Sequence, residues 1–217
     1  MSCAICEKRK EKRFCPAVHG RICPQCCGEQ REVTLDCPSE CVYLQQARQH
    51  EKPRPAAELD KDGLFSHLPL GDAFLYEQEQ LILGLSYSLA KSARAGHSLR
   101  DADLIAALTA LVKSYQTLTN SGLHYDAPIT NLAHQAIATD IRQMVEEYRQ
   151  AEQKHTGYTR LKDSDVLRAL AFLLAMGVRR TSGRPRSRAF VDFLLAQFPE
   201  RESTIAAAGE ASRIIMP

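Results

Sequence analysis

The sequence contains no tryptophan, and only 6% of its residues are aromatic. This scarcity argues against the rows of exposed aromatic rings on which single-stranded nucleic acids stack. The formal net charge of +2 does not favour nucleic acid either, because a general electrostatic attraction needs a larger imbalance of charge. Any such function must therefore depend on local clusters of basic residues.

Long hydrophobic runs are also missing. The longest, Ala169 to Val178, is far shorter than the roughly 18 residues needed to cross a bilayer. The chain begins with cysteines and charged residues, whereas a secretory signal has an apolar core. We therefore expect a cytoplasmic protein with no membrane partner. In that reducing environment, clustered cysteines bind metal more often than they form disulfides.

Short catalytic motifs are not found. The chain lacks the nucleophile elbow G-x-S-x-G, the phosphate loop G-x-x-x-x-G-K-[ST] and the dinucleotide fingerprint G-x-G-x-x-G. No pattern of residues indicates a small-molecule substrate. We therefore expect a protein without enzymatic activity, while a catalytic group inside a helical bundle remains an alternative that no motif supports.

The sequence does contain a dense cluster of cysteines, since all 8 lie within the first 41 residues. A C-x2-C pair places two thiolates on one ion, and two such pairs complete a tetrahedral zinc site. Eight thiols suffice for two sites, so we predict two zinc ions. The predicted ligands are Cys3, Cys6, Cys23 and Cys26 for one ion and Cys15, Cys27, Cys37 and Cys41 for the other. The spacing leaves other pairings open, and His19 can replace one cysteine.

Structural zinc fits this segment better than three alternatives. A disulfide knot would require export, a redox role would require a βαβ pattern after the C-x2-C pair, and catalytic zinc would require an open coordination position. A segment of about 40 residues cannot bury enough apolar surface by itself, so metal would supply its folding energy. The run Glu32 to Leu35 predicts a short strand within the module.

The cysteine pattern resembles the interleaved two-zinc layout of MYND, B-box and HIT-type fingers, in which alternate ligand pairs share an ion. The terminal His-x3-Cys of the MYND and HIT families is missing here, so their partner-binding roles do not carry over. The wider arrangement, with Cys23-Pro-Gln-Cys-Cys-Gly28 and Cys37-Pro-Ser-Glu-Cys41 before a helical body, resembles a group of bacterial proteins without an assigned activity.

The remainder of the chain predicts an all-helical bundle, so the expected fold class is mainly α. Leu104, Leu108 and Leu111 belong to the clearest apolar face, on a helix that starts at a capping box Ser98-x-x-Asp101 and ends near Gly122. The other predicted helices span 71–93, 129–155, 163–180 and 185–198. We predict a zinc module over 1–44, a polar linker over 45–60 that can include a short helix, a bundle over 61–199 and a flexible tail over 200–217.

A cluster of arginines lies between the last two predicted helices. Five arginines fall within ten residues that contain no acid: Arg179, Arg180, Arg184, Arg186 and Arg188. Such a loop can bind phosphate, and the basic loop Lys8 to Arg13 in the zinc module can assist it. The alternative is a structural loop whose arginines pair with acids such as Asp163, Asp165 or Glu200.

The tail ends in three apolar residues, Ile214, Ile215 and Met216. They are candidates for docking on a partner, and folding back onto the bundle is the alternative. Together these features favour a non-enzymatic zinc-binding adaptor or regulator that contacts another protein. The second hypothesis is a factor associated with nucleic acid that uses the arginine loop 179–188 and the basic loop of the zinc module.

Overall fold

The computed structural model describes residues 1–51 and 70–199. Across these ranges the chain forms eight α-helices and a two-stranded sheet. This confirms the predicted mainly helical fold. The proline-rich part of the predicted linker and the predicted tail, with Glu200, Ile214, Ile215 and Met216, lie outside the described residues.

The cysteine-rich region is built on a small β-hairpin followed by two short helices. Its strands pair antiparallel, with Cys15 opposite Gly20. His19 closes the tight turn between them in the left-handed region, at φ 48°. The second helix continues through His50, so residues 45–50 of the predicted linker are helical. The elements are β1 (Arg13–Cys15), β2 (Gly20–Ile22), α1 (Pro24–Gln30) and α2 (Val42–His50).

The run predicted as a strand, Glu32 to Leu35, is a compact turn. The N–H groups of Val33, Thr34 and Leu35 all donate to the carbonyl oxygen of Gln30, at 3.1 to 3.2 Å. Glu32 adopts a left-handed φ of 53°. The turn thus satisfies the Gln30 carbonyl at the end of α1. Three consecutive N–H groups cannot reach one carbonyl oxygen from extended backbone, so the segment is not a strand.

The bundle contains the six other helices. The predicted helix over 71–93 is divided at Gln78, whose ψ of 20° interrupts the helical backbone. The last predicted helix starts at Ala189 rather than at 185, because a turn in which the Ser187 N–H donates to the Arg184 carbonyl precedes it. The helices are α3 (Asp72–Glu77), α4 (Glu79–Ala95), α5 (Asp101–Ser121), α6 (Leu132–Thr156), α7 (Asp163–Arg180) and α8 (Ala189–Gln197).

Helix α5 starts two residues later than the capping box predicts. The carboxylate of Asp103 accepts a hydrogen bond from the Arg100 N–H at 2.8 Å, so Asp103 fills the role predicted for Asp101. Asp101 is instead fully buried and accepts hydrogen bonds from the Phe190 and Val191 N–H groups, both at 3.0 Å. Its carboxylate thereby binds the start of α8 to the start of α5.

The main core lies where α5 and α7 pack against each other, between α4, α6 and α8. Leu104, Leu108 and Leu111 are completely buried, as the apolar periodicity predicts. Most of the apolar stretch of α7 is buried as well, including Leu170 and Leu173. Among the described residues, no helix combines the length and apolar character that crossing a membrane requires.

Candidate metal centre

Four cysteines meet in residues 1–44, the module predicted to bind zinc, which keeps the name zinc module after that prediction. The sulfur atoms of Cys3, Cys6, Cys23 and Cys26 all lie within 4.8 Å of one another. Zinc held by four thiolates at about 2.3 Å requires sulfur atoms about 3.8 Å apart, so this group can close around one ion with small side-chain adjustments. Cys3, Cys23 and Cys26 are buried, whereas Cys6 is half-buried.

Local backbone geometry fixes these thiols. Cys23 caps α1, and its sulfur accepts a hydrogen bond from the Cys26 N–H at 3.4 Å. Cys3 accepts one from the Cys23 N–H at 3.1 Å. A turn that the Glu7 N–H closes onto the Cys3 carbonyl, at 2.8 Å, holds Cys6 near Cys3. A turn before the hairpin therefore supplies two ligands and the first turn of α1 supplies the other two, at the end of the helix that favours negative charge.

The electrostatics of the group favour a bound cation. Burial raises the pKa of the Cys3 thiol, but hydrogen bonds from backbone N–H groups outweigh it and lower the pKa to about 6. Burial and the neighbouring thiols raise the pKa of Cys26 to about 12. Without a cation, the first thiolate therefore makes a second one costly. A hydrogen bond to the Cys23 side chain raises the pKa of Arg9, which places one positive charge beside the group.

The other four cysteines lie on the same module but are less tightly gathered. In the described part of the chain, they do not form a second group with three or more ligand atoms this close together. Burial raises the pKa of Cys37, and charges on Cys15 and Cys41 raise it further, so these three thiols are electrostatic neighbours. Cys27 accepts hydrogen bonds from Arg13 at 3.5 Å and from Arg31 at 3.8 Å. His19 is exposed and does not join the four-cysteine group.

The arginine loop contacts the zinc module directly, through a stretch that we call the docking segment, residues 28–36. Arg184 donates to the carbonyl oxygens of Gly28 and Arg31, at 3.1 and 2.6 Å. The Arg186 N–H donates to the Glu32 carbonyl at 2.8 Å, and its side chain lies 3.7 Å from Asp36. The docking segment lies between Cys27 and Cys37 in the sequence, so a cysteine flanks it at each end.

Glu32 lies at the centre of this contact. Only 1% of Glu32 is exposed, and its carboxylate accepts hydrogen bonds from Arg48 at 3.0 Å and from the Ser182 hydroxyl at 2.9 Å. Arg48 also pairs with Asp192 of α8 at 2.8 Å. The side chains of α2, the docking segment, the arginine loop and α8 thus form one network. Sequence reasoning missed Glu32 and Arg48, because an isolated acid or base in a polar stretch carries no local signal of burial.

The remaining members of the arginine cluster have different environments. Arg188 donates to the carbonyl oxygens of His97 and Leu99, at 2.7 and 2.9 Å. Arg180 lies over the ring of Phe193, 3.5 Å from its centre, and Arg179 is exposed. The cluster is therefore divided between internal contacts and surface positions.

The acids proposed as partners of these arginines bind elsewhere. Asp163 pairs with Arg149 at 2.5 Å, and Asp165 pairs with Arg168 at 2.6 Å. Both acids start α7, whereas the arginine cluster begins in its last turn, about 25 Å away at 1.5 Å per residue, and continues into the following loop. The length of α7 therefore separates Asp163 and Asp165 from Arg179 and Arg180, and the acids pair with arginines near their own end of the helix.

Comparison with known proteins adds no assignment. The chain matches no protein-family model, and it is significantly similar to no curated protein and to no solved structure.

Proposed function

We propose that this protein is a cytoplasmic, non-enzymatic adaptor or regulator whose cysteine module is built on zinc. The observation that carries the proposal is the group of four converging thiols on a small module that is fastened to a helical bundle. Four thiolates fill a tetrahedral zinc ion and leave no open position for a substrate, which is typical of structural zinc.

We extend the proposal to a second zinc ion, bound by Cys15, Cys27, Cys37 and Cys41. Three of these thiols are electrostatic neighbours, and two guanidinium groups donate to the sulfur of the fourth, Cys27. Hydrogen bonds of this kind stabilise a metal-bound thiolate. Binding of an ion would draw the four side chains closer and would fix both ends of the docking segment.

Exposed apolar side chains on the module favour a protein partner. Phe14 is 55% exposed on the outer face of β1, and Val42 is 56% exposed at the start of α2. Apolar groups left outside a small module are a common component of protein interfaces. The tail residues Ile214, Ile215 and Met216 are a second candidate for contact with the same partner. We rank nucleic acid lower, because Arg186 and Arg188 are paired with the carboxylates of Asp36 and Asp192 within the chain.

Native mass spectrometry of protein purified gently from its own host, under reducing conditions, tests the proposal. We expect two zinc ions per chain and a protein subunit bound at fixed stoichiometry. The variant Phe14→Ser should keep the two zinc ions and lose the partner. The control Tyr76→Ser changes an exposed tyrosine of α3 and should keep the two ions and the partner. Paired cysteines without metal would refute the zinc assignment. Partner binding that is indifferent to Phe14 would refute the proposed surface.

A further inference from the structure

A cleft of about 950 Å³ lies beside the end of α7 and is lined by both apolar and basic residues. Ligand sites commonly measure about 300 to 1,000 Å³, so the volume suits a small organic molecule. Among the described residues, Phe172 and Met176 belong to its apolar wall, and Arg179, Arg180 and Arg184 belong to its basic rim. The proposed zinc sites and the exposed Phe14 are separate from this cleft.

Among the described residues, the charges around the cleft do not cancel. Arg48 and Arg188 lie within 4 Å of Glu32 or Asp192, so these two bases and two acids balance each other. Arg179, Arg180 and Arg184 have no carboxylate partner within the described ranges. The one acid among the described lining residues is Glu51. The described part of the rim therefore carries an excess of positive charge.

The positive charges of Arg179, Arg180 and Arg184 are available to an anionic ligand, as their contacts indicate. Arg184 is held at the rim by carbonyl oxygens, which orient its guanidinium group without neutralising it. Arg180 stacks on Phe193, and the described residues place no carboxylate within 4 Å of its guanidinium group. The end of the α7 dipole contributes only about half a negative charge. Three guanidinium groups outweigh that half charge and Glu51 together.

We propose that this cleft binds a small phosphate-bearing molecule that also has an apolar or planar group. Guanidinium groups bind phosphate oxygens through paired, charge-assisted hydrogen bonds. The apolar wall of Phe172 and Met176 can cover the remainder of such a ligand. The concave shape favours a small molecule over a nucleic-acid strand, because a strand requires a continuous basic surface along which its backbone can run.

Isothermal titration calorimetry at low salt tests this proposal, with ATP, inorganic pyrophosphate and a single-stranded oligonucleotide as probes. We expect saturable binding of ATP, weaker binding of pyrophosphate, which lacks a group to fill the apolar wall, and no tighter binding of the oligonucleotide. Arg179→Ala and Arg180→Ala should each weaken ATP binding about tenfold, the loss of one charge-assisted contact. Both residues are exposed, so the variants should fold, and circular dichroism checks this.

The matched control is Arg160→Ala, which removes an exposed arginine just before the opposite end of α7 and should leave ATP binding unchanged. Absence of saturable ATP binding would overturn the proposal. Equal losses in all three variants would overturn it as well, because they would indicate a general attraction of charge. Tighter binding of the oligonucleotide with the same dependence on Arg179 would assign the cleft to nucleic acid instead.

Discussion

Replacement of Glu32 tests whether the zinc module and the bundle are held together by the charged network. In Glu32→Ala, the carboxylate that accepts from Arg48 and from the Ser182 hydroxyl is lost, while the main-chain bond from Arg186 can persist. Alanine and glutamate are similarly strained at a φ of 53°. The difference in the free energy of unfolding therefore isolates the side-chain contacts.

The structure sets the expected magnitude. A hydrogen bond to a charged group contributes about 1.5 to 3 kcal/mol when it is buried. Arg48 keeps its contact with Asp192, and 22% of its side chain is exposed, so water replaces part of what is lost. We expect Glu32→Ala to lower the free energy of unfolding by about 3 kcal/mol. Glu32→Gln keeps the shape and one acceptor, and we expect about half of that loss.

Urea denaturation of the metal-loaded protein, followed by circular dichroism, measures these changes. Hydrogen exchange should show faster exchange in both the docking segment and residues 179–188. Glu29→Ala is the matched control, because Glu29 is an exposed acid of α1 that contacts Gln25. If the Glu32 and Glu29 variants lose similarly little stability, the network does not hold the two parts together and the reasoning fails.

Three further predictions concern the metal group and the bundle core. The double variant Cys23→Ser, Cys26→Ser should lose both proposed zinc ions by elemental analysis, because all their ligands lie within residues 1–44, and hydrogen exchange should show those residues unfolded with the bundle intact. Gly177→Ala should lower the free energy of unfolding by about 1 to 3 kcal/mol in urea denaturation, because the added Cβ would lie 2.9 Å from a buried phenylalanine ring of α8. Its control is Gly28→Ala, whose added Cβ has no atom within 4 Å and should leave the stability unchanged. Asp101→Asn should cost about 3 kcal/mol by the same assay, since an amide cannot accept all three hydrogen bonds of this buried carboxylate.

The helices of the bundle could be predicted from the sequence because a helix buried on one face has apolar residues repeating every three or four positions. Leu104, Leu108 and Leu111 repeat at helical spacing, and all three are buried. Helix ends were harder, since the choice between two acids for a cap depends on tertiary contacts. Asp101 matched the third helical position of the predicted capping box, but its carboxylate binds two buried N–H groups at the start of α8, and Asp103 takes that position instead.

The four-cysteine group was accessible to sequence reasoning for a different reason. A C-x2-C turn brings its own two thiols together, so only the meeting of two preformed pairs had to be inferred. Cys15 and Cys27 lack such a partner and depend on how the hairpin packs against α1. The strand predicted over Glu32 to Leu35 failed because β-branched and apolar residues also suit a compact turn whose N–H groups converge on Gln30.

The arginine cluster shows most clearly why composition alone cannot assign a charged loop. In the sequence alone, all five arginines look equivalent, and the acids that start α7 are candidates for ion pairs with them. After folding, a carbonyl-rich turn from a module more than 140 residues away binds Arg184, and a buried acid beside it binds Ser182 and Arg48. Arg179 and Arg180 lie at the other side of the same loop, on the cleft. The cluster thus fastens the cysteine-rich module to the bundle through Arg184 and Arg186, whereas Arg179 and Arg180 line the cleft for which we propose a ligand.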